Sequence, residues 1–597
     1  MMRSRFNFPY LLLLFIFLAF THILTLFHET ELTVFARCLF SFDALLQLFL
    51  ELWLIAYIAQ FLKGVPLVGF LFLTFWLCLG QIIDYFTLHF IGAHVWKLSF
   101  IMLSENLKNF IEVLRASNVT FKVWALIFLA ILLTSALGPV LYYLCKKIPT
   151  PSKFPHLYSV SCALSLLFMN DLLFIPKDRL ETYDRAAKIL PFKTTFFVPK
   201  EKVIPIPSFP TLREPVLIAK DASSLPSIYL FIIESLREDY ITPEIAPHIF
   251  AFKQANTCFS KAFSGSNCTH NSWFTIFYSA YGFLWNASHK LQGSPHIAAL
   301  KQAGYTICAY VTPELDFYDM GTKIFGPGFC LLDEKYFFPH YADIKAWESD
   351  RAAIETLIQC ARSPDEKPRL HITFIDSTHF DYSWPEKKSR FTPFTPVINY
   401  VKGVYDTHEL DQIRNRYKNA IWNVDRLFGK FLKNLDDPNA VIVITGDHGE
   451  EFKEHGQIFH ASNLSDEQTH VPLYFRFGSH VPLPTVDIAS HLDIFPTLFD
   501  FIFRETRYNS HGYSLLSPLH PGFAVSARYN GGLNPTEFYI HNGLKKCTFR
   551  FANPYDIASS SNLTIFSLED ANGSRLEPNL TTIETEFGKP LAHIFGK

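Results

Sequence analysis

None of the ten cysteines stands in a C-x-x-C pair, which argues against a thiolate zinc site. Charge of either sign is not in excess: the formal net charge is −2, so nothing favours a nucleic-acid partner. No internal repeat and no low-complexity tract occurs, which excludes solenoids, propellers and biased disordered arrays. No small-x-small cleavage site follows the first apolar run, and that run is too long for a signal peptide. What the chain does have is apolar length. Hydrophobic residues make up 49% of its 597 residues, with 61 Phe among them, and they crowd toward the N-terminal end.

Five segments have the roughly 20 residues needed to span a bilayer: about Phe8–Phe27, Cys38–Leu62, Val65–Phe90, Val123–Leu144 and Pro155–Ile175. Arg3, Arg5, Lys63, Lys146, Lys147 and Lys153 fall on one side of a five-span arrangement, while Lys97, Lys108, Arg115 and Lys122 in the 91–122 loop weaken the contrast. The expected topology has a cytoplasmic N-terminus and puts everything after about residue 176 outside the cytoplasmic membrane. Asp43, Glu51 and Asp84 lie within or near spans, where charge is costly and often functional; pairing inside the bundle or a place near its ends is the plainer account. Residues 1–175 are thus expected to be a transmembrane domain and the proline-rich 176–226 a linker. A core α/β domain over 227–520 and a β-rich tail over 521–597 follow. Six cysteines in the exported part permit disulfides without specifying them.

Apolar runs at 227–233, 306–311, 370–376, 440–445 and 471–475 alternate with helical patterns. The clearest helix is 409–436, with Ile413, Tyr417, Ala420, Val424, Leu427, Phe431 and Leu435 at three-to-four spacing. That alternation predicts a doubly wound domain with a mainly parallel sheet. Two of the strands end in acids. Ser227–Ile233 runs into Glu234, and Val441–Thr445 runs through Gly446 into Asp447 and His448. Strand ends are where open α/β sheets place ligands, and carboxylate plus imidazole suits Zn²⁺ or Mn²⁺. Between them Ser264-Gly-Ser-Asn-Cys-Thr269 makes a small polar turn into an apolar helix. Thr269 at that helix N-terminus is either a cap or a hydroxyl nucleophile beside a metal. Asp376-Ser-Thr-His379 closes another strand, and four of the 23 histidines, His448, His455, His460 and His470, crowd 448–470.

The order Glu234-Ser-Leu-Arg-Glu-Asp239, Thr269, His379, Gly446-Asp-His-Gly-Glu450, Gln468-Thr-His-Val-Pro472 and His491-Leu-Asp-Ile-Phe-Pro-Thr-Leu498 resembles the sulfatase branch of the alkaline-phosphatase superfamily over roughly 227–520. With five spans in front, it resembles the membrane-anchored phosphoethanolamine transferases, the lipoteichoic-acid synthases and the YejM-type (PbgA) inner-membrane proteins. Residues 264–282 are most similar to the YejM type, and 447–472, with His460 thirteen residues after Asp447, to the phosphoethanolamine transferases. Cys268-Thr-His-Asn-Ser departs from the Cys/Ser-x-Pro-x-Arg of true sulfatases, which tells against formylglycine chemistry.

The resemblance implies one divalent metal, Zn²⁺ or Mn²⁺, held by Glu234, Asp447, His448 and Thr269. It makes Thr269 the nucleophile. His379 and His460 serve as proton donors, substrate ligands or holders of a second metal, and His470 as a substrate ligand. The expected protein is a multi-pass phosphotransferase or phosphoester hydrolase of the cell envelope. Its donor would be a membrane phospholipid, phosphatidylethanolamine or phosphatidylglycerol, and its acceptor an envelope lipid or glycan. A non-catalytic lipid or lipopolysaccharide sensor and a sulfuric-ester hydrolase are the alternatives.

Overall fold

The computed structural model describes residues 6–29, 32–91, 94–95, 121–149, 155–177, 179–213, 225–290, 292–340, 344–362, 367–398, 405–482, 486–503, 509–531 and 533–596. The chain forms two compact units, Met1–Glu201 and Lys202–Lys597.

The first unit contains α1 (Phe8–His28), α2 (Val34–Ala59), α3 (Gly64–Ile91), α4 (Phe121–Cys145) and α5 (His156–Phe174). All five are long and apolar enough to cross a membrane, and they fall on the five apolar segments of the sequence. Polar caps start two of them: Asn7 accepts from Tyr10 N and Thr33 from Ala36 N. Tyr10, Leu14, Leu48, Leu52, Leu71 and Phe75 interlock in one cluster. Gly138 lets α4 approach α3 closely, because a Cβ there would lie 2.6 Å from Phe75 Cβ. Three acids of these helices accept side-chain hydrogen bonds. Asp43 accepts from Asn170, Glu51 from Gln81, and Asp84 from His94 and Lys193. Of the residues that carry the topology argument, Arg3, Arg5, Lys97, Lys108, Arg115 and Lys153 lie outside the described residues.

The stretch 176–226, expected as a linker, is more structured than its prolines suggest. Leu180–Ala187 is a helix whose Tyr183, Ala186 and Ala187 are buried in the first unit. Val203–Pro205 is an edge strand of the second, a place where a proline costs no internal ladder bond.

The second unit is built on a seven-stranded sheet. Its strands are β1 (Ile228–Ile233), β2 (Thr257–Cys258), β3 (Thr306–Val311), β4 (Glu334–Phe337), β5 (Arg369–Ile375), β6 (Val441–Gly446) and β7 (Leu473–Phe477), in spatial order β2-β7-β6-β1-β5-β3-β4. The five strands from β6 to β4 are parallel, and β7 is antiparallel to both β6 and β2. Every residue of β1 and β6 is buried, because helices cover both faces; this is why both strands are apolar throughout rather than alternating. On one face α6 (Thr269–Tyr278) packs Trp273 and Phe277 against Phe374 and Phe495. On the other, α7 (Ala346–Arg362) and α8 (Thr407–Asn434) contribute Leu357, Tyr417, Phe428 and Phe431.

The tail forms an antiparallel sheet of β8 (Ala524–Ala527), β9 (Glu537–His541), β10 (Lys545–Phe551) and β11 (Asn562–Asp570). Val203–Pro205 and Arg575–Leu576 also pair with β11. Phe538, Phe549 and Phe551 of this sheet share a core with Trp273 and Phe283. No disulfide occurs, and all ten cysteines are free thiols.

Candidate active site

The sheet register builds the site. Ile233 of β1 lies level with Ile375 of β5 and Gly446 of β6, so the next residue of each strand, Glu234, Asp376 and Asp447, emerges at one edge. Ser235 turns the chain sharply at φ +54°, a left-handed conformation that a non-glycine residue adopts only when its surroundings impose it. Here Tyr417 donates to Ser235 O at 2.5 Å, and Ser235 N donates to Asp447 Oδ1 at 2.8 Å. His448 N donates to the same oxygen at 2.8 Å, which leaves the buried Oδ2 of Asp447 without a partner.

Glu234, Asp447 and His448 each present one ligand atom, all within 4.8 Å of one another, and all three residues are buried. His448 Nδ1 faces Gly449 O at 2.9 Å; a carbonyl only accepts, so Nδ1 carries the hydrogen, and Nε2, turned to the two carboxylates, is the position for either a proton or a cation. Nε2 lies 3.2 Å from Glu234 Oε1 and 3.4 Å from Asp447 Oδ2. Thr269 is the first residue of α6, and Cys268, not Thr269, occupies the cap position. The Thr269 Oγ1 is 3.3 and 3.4 Å from the Glu234 oxygens and 3.2 Å from His448 Nε2. The capping alternative is therefore not the one realised. Cys268 Sγ turns toward His270 Nδ1 at 3.4 Å, and burial, then Glu234 and Asp447, push its thiol well above the ordinary range.

Glu234, His379 and His460 form a second group with ligand atoms within 4.8 Å, so both histidines come to Thr269's side of the sheet. The His460 ring is centred 4.2 Å from that of His448 and 5.4 Å from that of His379. His470 is elsewhere: its Nε2 donates to Ser260 O at 2.8 Å and its ring lies against Phe263. His455 pairs with Glu467.

Two further residues escaped the sequence reading. Glu450 is fully buried and pairs with His460 Nδ1 at 3.1 Å, which orients that ring. It lies within the Gly446–Glu450 motif, and only its contact to a residue ten positions on reveals what it does. Asp350, also fully buried, accepts from Asp376 N at 3.0 Å, Ser377 N at 2.9 Å, Thr312 Oγ1 at 2.7 Å and the Ser377 hydroxyl. It clamps the loop that carries His379. No pattern along the chain marks an acid in mid-helix for this.

The electrostatics are those of a site short of positive charge. Burial lowers the affinity of His448 for a proton, but Asp447 and Glu234 outweigh it and lift the imidazole to about 10. Burial, and then Glu234, push Asp447 well above the usual carboxylate range. His379 falls to about 4 and His460 to about 3, chiefly through burial, so both are neutral near pH 7. A proton on His448 is holding two buried carboxylates together. The unpartnered Asp447 Oδ2 and the mixed N/O donor set fit a divalent cation in that role.

Residues 226–502 match the Sulfatase family model. The matched stretch contains the seven-stranded sheet together with Glu234, Thr269, Asp447 and His448. Arylsulfatase K of Rattus norvegicus is 27% identical over 222 residues, which cover 33% of this chain and 37% of that protein. Arylsulfatase K of Gallus gallus is 30% identical over 136 residues, 21% of this chain and 25% of that one. The chain spans about a third of the length of the curated relatives it matches. Among solved structures, the phosphonate monoester hydrolase of Agrobacterium radiobacter aligns with a TM-score of 0.47 at 16% identity, over 61% of this chain and 94% of that one. The C-terminal periplasmic domain of EcEptC from Escherichia coli, a complex with Zn, aligns at 0.41 and 18% identity, over 52% and 90%.

Proposed function

We propose that this protein is a membrane-anchored, metal-dependent phosphotransferase or phosphoester hydrolase that works through a covalent Thr269 intermediate. The observation that carries the reading is which side chain faces the acids. Thr269 Oγ1 lies 3.2–3.4 Å from Glu234 and His448, whereas Cys268 Sγ points away. Glu234, Asp447 and His448 would hold the cation, which when bound lowers the hydroxyl's pKa and offsets charge on phosphoryl oxygens. Thr269 Oγ1 bonds to phosphorus as the bond to the leaving oxygen breaks, and the hydroxyl proton passes to a neutral imidazole. His460, which pairs with Glu450, and His379, which groups with it around Glu234, would take that proton and return one to the leaving oxygen. An acceptor hydroxyl then displaces Thr269 in the reverse geometry.

The five apolar helices support a donor that is itself a membrane phospholipid, phosphatidylethanolamine or phosphatidylglycerol, with an envelope lipid or glycan as acceptor. On this reading the anchor lies in the cytoplasmic membrane with residues 202–597 outside it. A sulfate-ester hydrolase is the second reading, favoured by the family match at 226–502. The test is release of diacylglycerol from labelled phospholipid, with mass spectrometry of the trapped enzyme. Wild type should form phospho-Thr269. Thr269→Ser should keep some turnover, and Thr269→Ala should lose it while still binding metal. Full turnover by Thr269→Ala would remove the covalent mechanism. Turnover of aryl sulfates but no lipid would favour the second reading, and specific lipid binding without any turnover a sensor.

A further inference from the structure

The intramembrane acid Glu51 is tied into a chain of four groups that crosses the bundle. Glu51 on α2 accepts twice from Gln81 Nε2 on α3, at 2.8 and 2.9 Å. Gln81 Oε1 lies 3.0 Å from Nε2 of His22 on α1, and His22 Nδ1 lies 2.7 Å from Ile189 O. His22 is only 5% exposed, and Glu51 and Gln81 are half-buried.

Hydrogen counting decides what this chain holds. Ile189 O only accepts, so Nδ1 of His22 must carry a hydrogen. If Gln81 keeps its oxygen toward His22, Nε2 must carry one as well. His22 is then an imidazolium and Glu51 a carboxylate. If the Gln81 amide is turned over, its NH₂ donates to a neutral His22 and its oxygen faces Glu51, which must then be a carboxylic acid. Each arrangement satisfies every contact, is neutral overall, and contains the same number of protons. Neutral His22 with ionised Glu51 has one proton fewer. It leaves two acceptors face to face whichever way the amide points, in hydrocarbon, where an unmet polar contact and a net charge are both costly. A further proton would leave the pair with a net positive charge in the same surroundings.

We propose that Glu51, Gln81 and His22 form a proton-binding site inside the membrane bundle. The bound proton sits on His22 or on Glu51 according to the turn of the Gln81 amide. It links α1, α2 and α3 with the segment after α5, to which Ile189 belongs. The charged groups that face the site are Asp84 on α3 and Lys193 on that same segment. They are paired with each other at 2.7 Å, with His94 on the same carboxylate at 2.8 Å, so they offer the site little net field. Among the described residues, Cys78 on α3 is a further titratable neighbour. None of these groups belongs to the site around Thr269.

The experiment uses the full-length protein in lipid nanodiscs. With ¹⁵N-histidine and ¹³C-glutamate labels, His22 and Glu51 are assigned by comparison with His22→Asn and Glu51→Gln. At pH 7 the wild type should show either an imidazolium at residue 22 or a carboxylic acid at residue 51. A neutral His22 beside an ionised Glu51 overturns the proposal. The second measurement is stability against pH. Glu51→Gln restores a complete chain of contacts without the extra proton, because the amide introduced at position 51 can donate to a turned Gln81. The folded wild type keeps a proton that the unfolded chain, with a His near about 6.5 and a Glu near about 4.3, has given up at neutral pH. Its stability is therefore lost as pH rises through the site's own affinity. Wild type should show up to a tenfold rise in unfolding constant per pH unit there. Glu51→Gln should lack that component, and equal slopes overturn the proposal. If Glu51→Gln does not insert, the wild-type resonances decide alone.

Discussion

At the residue scale, Asp350 offers the sharpest test of how the site is held. Four donors converge on its two oxygens, and three of them come from the loop between β5 and His379. Asp350→Ala would leave those donors buried and unmet, at a cost of about 2–4 kcal/mol. The freed loop would also misplace His379, so kcat should fall more than KM rises. Asp350→Asn, which keeps one good acceptor, should lie between. Denaturant midpoints within about 0.5 kcal/mol of wild type for Asp350→Ala would show that the clamp is dispensable. The contrast with Glu234, Asp447, His448 and Thr269 explains what could be read from the chain. Those four stand at the ends of apolar strands or the start of a helix, and the pattern around each residue gives its position. Asp350 and Glu450 matter through contacts 10–38 residues away, which no local pattern encodes. His470 shows the opposite failure. It belongs to a histidine-rich stretch, yet the turn before β7 points it at Ser260 O.

At the element scale, helix α8 was legible almost to its ends because it carries both signals, a three-to-four apolar spacing and a polar start. Asp406 accepts from Glu409 N at 2.8 Å, while the Glu409 side chain accepts from Asp406 N at 3.1 Å. This reciprocal capping box satisfies two otherwise open donors. Asp406→Ala should lower stability by about 1 kcal/mol, seen as a shifted urea midpoint with an unchanged slope. A loss above about 2 kcal/mol would mean that Asp406 does more than cap. The strands were equally plain where both faces are buried. Short β2 and β4 were not, since two to four residues carry no usable period. The stretch after α5, read as a linker from its prolines, also contains Leu180–Ala187, a helix set by burial of Tyr183, Ala186 and Ala187 rather than by length.

At the scale of the whole molecule, the second unit should be acid-labile in a way that its buried histidines dictate. His296 is fully buried, with Nδ1 on Phe277 O at 3.0 Å and its ring between Phe495 and Phe499. His371 is stacked on Tyr229 with centroids 4.5 Å apart, and its Nδ1 meets Tyr310 OH at 3.1 Å. Burial brings each imidazole down to about 3. An unfolded histidine takes a proton near about pH 6.5, and these two cannot while folded. The unfolded state therefore binds more protons throughout the window between about 6.5 and 3, and stability falls as pH falls through it. Each histidine contributes at most about 1.4 kcal/mol per pH unit. Asp350 and Asp425, whose carboxyls burial raises, pull the other way above the unfolded carboxylate value. The total slope is thus a sum of opposed terms, and only a difference isolates one of them. His296→Gln has no proton to refuse. Its stability relative to wild type should improve by about 1.4 kcal/mol for each unit of pH below about 6, whatever its offset at neutrality. The measurement is chemical unfolding of the full-length protein at several pH values, followed by tryptophan fluorescence. Parallel curves for wild type and His296→Gln would mean that His296 is protonated in the folded state, and that the packing around it does not exclude the charge.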